Sequence, residues 1–152
     1  MAGFHFRLQH VLDYRSGLAD RARQELGALQ AHLHEAQAEL AALQASEKRA
    51  LQQLGEAQQT VPLDLHAIAH LLECGQLLAR RIVAQRQVIV ERQQAVDAQQ
   101  QVVVGLAKEA KALEKLRERQ SEEYEQEELR REQAETSEIA STRHQRSQVT
   151  AS

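Results

Sequence analysis

From Leu8 to Val61 the apolar residues recur at alternating steps of three and four. The stripe reads Leu8, Leu12, Arg15, Ala19, Ala22, Leu26, Leu29, Leu33, Ala36, Leu40, Leu43, Glu47, Ala50, Leu54, Ala57 and Val61. Only Arg15 and Glu47 interrupt it. A mean spacing of 3.5 held over seven heptads keeps one face of a helix against a partner helix, the pattern of a left-handed coiled coil. The many alanines in the stripe let that partner approach closely.

The lone proline follows, in Thr60-Val61-Pro62-Leu63-Asp64. Proline removes a helical hydrogen bond and pushes the preceding residue out of helical geometry. Asp64 is placed to cap a new helix from Leu65. That helix repeats by sevens at Ile68, Gly75, Ile82, Ile89, Val96, Val103, Ala110, Arg117 and Tyr124. Its companion position is apolar at Leu71, Leu78, Leu106 and Leu113 but polar at Gln85, Arg92 and Gln99. Past Gln120 the stripe fades to Tyr124, Leu129 and Ile139 among charges. Pairs at helical spacing, Arg119–Glu123, Glu127–Arg131 and Arg131–Glu135, are expected to support the overhang there.

The expectation is an all-α, long antiparallel two-helix coiled-coil hairpin forming a single domain over 1–152. Helix 1 spans about 5–58, the bend about 59–64, helix 2 about 65–140, and a frayed tail 141–152. The same stripe also serves a domain-swapped dimer, if the chain runs on through Pro62 instead of bending.

Composition narrows the function. Ala, Glu, Lys, Leu and Arg make up about half of the 152 residues, aromatics are 3%, and there is no Trp, a bias of long helices rather than of globular cores. No apolar run approaches the roughly 18 residues of a membrane span. The start has no signal-peptide pattern, and a single cysteine cannot form an internal disulfide. These features point to a soluble cytoplasmic protein. A net charge of −3 disfavours a dedicated nucleic-acid binder. In the block Lys108–Arg119, acidic and basic residues interleave without aromatics for stacking, so it reads as a solvated helix face.

No catalytic or cofactor motif is present: no phosphate-binding glycine loop and no nucleophile elbow. A bare helix pair also lacks the concave, dry pocket that most chemistry needs, so the chain is read as a non-enzyme without cofactors. His66, His70 and Cys74 lie at i, i+4 and i+8, a spacing that suggests a zinc site. However, eight residues of helix span about 12 Å, too far for one ion to join all three. They read as polar positions beside the stripe. Phe4 and Phe6, ahead of the stripe, are either a cap on the open end of the hairpin or exposed anchors for a partner.

The opening Phe4-His5-Phe6-Arg7-Leu8-Gln9-His10-Val11-Leu12-Asp13-Tyr14-Arg15 resembles the start of the flagellar export protein FliJ family, whose members often begin F-x-F-x-L-x-x-V-L-x-x-R. The run Leu113-Glu114-Lys115-Leu116-Arg117-Glu118-Arg119, then Tyr124 and Glu138-Ile139-Ala140, is similar to the later helix of that family. The tail from Thr142 matches nothing in it. This resemblance implies a stalk like the central shaft of rotary ATPases. It would insert into the hexameric export ATPase and stimulate it, contact the membrane export gate, and escort export chaperones from the cytoplasmic face of the cell membrane.

By matched position, the resemblance assigns Phe4, Phe6, Leu8, Leu12, Arg15, Leu113, Leu116, Arg117, Arg119 and Tyr124 to the ATPase ring. It assigns Leu71, Leu72, Leu78 and Ile82 to the gate. Arg15 and Arg117 break the stripe, either for a partner's carboxylate, for solvent, or to set the register of the hairpin. Two other readings stand beside this one: a cytosolic coiled-coil adaptor or chaperone for export cargo without ATPase contact, and a helical nucleic-acid-associated protein.

Overall fold

A computed structural model describes residues 3–151. It contains two helices, α1 (Gln9–Gln59, 51 residues) and α2 (Leu65–Ala151, 87 residues), and no strand among the described residues. The all-α, two-helix hairpin expected from the heptads is the fold observed. The chain divides into two units, Met1–Ala19 with Leu106–Ser152, and Asp20–Gly105.

The unit Asp20–Gly105 holds the bend. Helix α1 closes with the Thr60 amide and hydroxyl both donating to the Glu56 carbonyl, at 3.1 and 2.8 Å. The Val61–Pro62 peptide is cis. Asp64 then caps α2: its Oδ1 accepts from the Ala67 amide at 3.2 Å and its carbonyl from the Ile68 amide at 3.1 Å, satisfying donors that the first turn leaves unpaired. Beyond the bend the helices pair antiparallel, so that contacts advance along α2 as they recede along α1: 85 against 36, 92 against 32, 99 against 22. The core consists of Ala22, Leu33 and Ala36 from α1 with Ile82 and Val96 from α2. Among the described residues no large side chain is completely shielded, as befits a core only two helices wide.

The polar companion positions of α2 face inward and are not gaps in the seam. Gln85 donates to the Ala36 carbonyl at 2.9 Å, Arg92 to the His32 carbonyl at 2.8 Å, and Gln99 to the Ala22 carbonyl at 3.1 Å. A helical carbonyl keeps a spare lone pair after its own i+4 bond. Ala22 and Ala36 carry only a methyl group, so a long amide can reach the main chain beside them.

In the other unit, helix α1 begins at Gln9, whose amide bonds the Phe6 carbonyl at 3.1 Å. Residues 3–8 ahead of it are not helical, although the stripe predicts a start near residue 5. Phe6 is instead folded into the core, 4% exposed, with Leu12, Ala19 and Ala110. Helix α2 continues to Ala151, past the end near residue 140 expected from the sequence; Ser152 lies outside the described residues. Every residue from 129 to 151 is exposed, so no tertiary packing holds this stretch. The hydroxyls of Thr136, Thr142 and Thr150 donate back to the carbonyls of Glu132, Glu138 and Arg146, each at 2.8–3.0 Å. The i,i+4 pairs expected here do not form. Arg131 reaches Glu128 at 3.4 Å, three residues back.

Candidate functional site: the paired end and the groove beside the bend

Of the sixteen stripe positions, all but Leu8 and Val61, which lie just outside α1, are buried or half-buried. The ring candidates therefore separate into two layers. Phe6 and Leu12 are buried, and Phe4, Arg15, Leu113, Leu116 and Tyr124 are half-buried, whereas Leu8, Arg117 and Arg119 are exposed. The Phe4 and Tyr124 rings meet at 5.8 Å between centroids, tilted by 48°, an arrangement favoured by the ring quadrupoles. Phe6 is buried, while Phe4 stays half-buried with its ring beside that of Tyr124.

The two arginines that interrupt the stripes behave differently. Arg15 forms an ion pair with Glu109 across the helices at 2.8 Å, with both side chains about half exposed. It thereby links α1 to α2 within this unit. Arg117 makes no ion pair among the described residues. It lines an open groove with Gln9, Leu12, Asp13 and Ser16 of α1 and Glu114, Glu118, Ser121 and Glu122 of α2.

The gate candidates are also divided. Ile82 is buried and Leu71 and Leu78 half-buried in the seam, whereas Leu72 is exposed. Leu72 lines a largely apolar groove near the bend with Leu51, Leu54, Leu71, Gly75 and Ala79. Leu51, 62% exposed, is absent from the sequence-derived set. Its signal was a large apolar residue one step outside the stripe at Ala50. Cys74 Sγ lies 3.6 Å from His70 Nε2, with His66 and His70 exposed. No group of three His, Cys, Asp or Glu residues among those described is placed to share a metal ion.

These observations define an all-α protein of the paired-helix class, with solvent-facing grooves along its described helices. No helix is long and apolar enough to cross a membrane. The flagellar FliJ protein family matches residues 4–149, and the chain belongs to that family, a family of non-catalytic flagellar export components. No curated protein and no solved structure matches the chain.

Proposed function

We propose that this FliJ-family chain is a stalk that inserts into the hexameric flagellar export ATPase and stimulates it, contacts the membrane-embedded export gate, and escorts export chaperones. The carrying observation is the layered paired end. Phe6, Leu12 and the Phe4–Tyr124 contact clamp the opening segment to α2, which leaves Leu8, Arg117 and Arg119 as the outward layer. Guanidinium groups without an ion pair are suited to carboxylates on a ring's inner wall. The buried members of the set act by holding this surface in shape. The groove with Leu51 and Leu72 is the surface proposed for the gate, and through it the chain would be held peripherally at the cytoplasmic face of the membrane.

The test is ATP hydrolysis by the purified export ATPase with and without the chain. Substituting Arg117→Glu and Arg119→Glu together is expected to abolish stimulation while circular dichroism and the melting temperature stay as in the parent. Full stimulation by that variant would remove the ring assignment. For the gate, Leu51→Ala with Leu72→Ala is expected to weaken capture by the gate's cytoplasmic portion without altering ATPase stimulation.

A further inference from the structure

The stretch of α2 from 129 onward is exposed at every residue, yet its composition is ordered. One face of the helix runs through 122, 125, 129, 132, 136, 139, 143 and 146, again in steps of three and four. Along it stand Glu122 and Glu125, then Leu129, then Glu132 and Thr136, then Ile139, then Arg143 and Arg146. Leu129 and Ile139 are 55% and 54% exposed, and shallow grooves run beside each of them. Glu122, Glu125, Arg143 and Arg146 form no ion pair among the described residues, so all four charges are available to a partner.

This stripe is complementary to its own reverse. If a second copy is laid against it antiparallel, with 122 opposite 146, every stripe position meets another stripe position. Glu122 then faces Arg146, Glu125 faces Arg143, Leu129 faces Ile139 and Glu132 faces Thr136, and the two-fold axis repeats each contact. A parallel arrangement would stack Glu122 on Glu122 and Arg146 on Arg146, so charge selects the antiparallel one. Such an isologous contact is closed at two copies.

We infer that the unpaired C-terminal part of α2 is a self-association surface whose partner is the same segment of a second copy, docked antiparallel through Leu129 and Ile139 with acidic and basic ends matched. Four apolar residues, two from each copy, and four exposed charge pairs make a weak contact, governed by concentration and salt. This inference rests on the helix alone and stands apart from the reading of the ATPase ring.

Sedimentation equilibrium of the full chain, in reducing buffer so that Cys74 cannot cross-link copies, tests it. A monomer–dimer equilibrium is expected, weakening as salt rises from about 0.05 to about 0.5 M. Arg143→Glu with Arg146→Glu is expected to raise the dimer Kd by roughly tenfold or more, because four attractions become repulsions. Adding Glu122→Arg and Glu125→Arg to that variant is expected to restore the dimer. Because every substituted side chain is exposed, helicity by circular dichroism should be the same in all variants. A chain that stays monomeric up to about 1 mM would overturn the inference. So would a dimer indifferent to Arg143→Glu with Arg146→Glu, or a fully swapped variant that keeps its helicity but not its dimer. A different protein seated on the stripe while this chain remains monomeric would equally refute it.

Discussion

Gln85 is 9% exposed and bonded to the Ala36 carbonyl, which makes it the most consequential polar side chain in the pairing of the helices. Truncating it to Ala removes the bond and opens a gap, with an expected cost of about 1–2 kcal/mol, measured as a lower midpoint in thermal or urea unfolding. Gln85→Leu should be close to neutral in stability, since an apolar group of similar size replaces the amide and the Ala36 carbonyl keeps its helical partner. What Gln85→Leu should lose is uniqueness of register, because Gln85, Arg92 and Gln99 each name a particular carbonyl on α1, whereas leucine accepts any neighbour. Arg15 is a different case. Its contact with Glu109 is short at 2.8 Å, but both side chains are about half in water, where an ion pair is worth little. Arg15→Gln is expected to change stability by less than about 1 kcal/mol, read from the same unfolding curves.

The helices themselves carry two further expectations. Gly27 lies exposed inside α1, and a methyl group there would meet nothing within 4 Å. Gly27→Ala should therefore stabilise the chain by about 0.5–1 kcal/mol through helix propensity alone, seen as a raised melting temperature. Truncating the chain after Glu128 should reduce the helical signal in circular dichroism in proportion to the residues lost, yet leave the melting midpoint of the dilute protein essentially unchanged, because nothing from 129 to 151 is even half-buried. The heptads made most of this architecture legible, since the period of 3.5 and one proline dictate two facing helices and where they part. They did not reveal that α2 runs on past residue 140. A solvated helix without a packed face depends on local propensity and length, and no apolar period reports these.

For the molecule in its cell, no helix among the described residues is long and apolar enough to cross a bilayer, and the proposed attachment at the membrane is through the export gate. On that proposal, a strain lacking the export gate is expected to show less of the chain in the membrane fraction than its parent, and in the presence of the gate Leu51→Ala with Leu72→Ala should lower it likewise. The residues of the candidate surfaces were only half legible beforehand. Leu8, Leu12, Arg15 and Tyr124 were named from the opening pattern and the repeat, but the linear order cannot separate Phe6, which is folded inside, from Arg117, which faces water. Nor did it single out Leu51, whose neighbour across the groove comes from the other helix.

Repetition along the chain was enough to specify two helices with facing apolar stripes, because burial of a periodic apolar face admits few other solutions, but whether the chain bends back on itself at Pro62 or runs on was decided only by the fold. Which polar residues turn inward was decided only when the two helices met. Gln85 and Gln99 find acceptors because Ala36 and Ala22 happen to stand opposite, and Arg15 finds Glu109, 94 positions away in the chain. Such matches depend on the distance between facing backbones, a quantity that exists only in the folded pair.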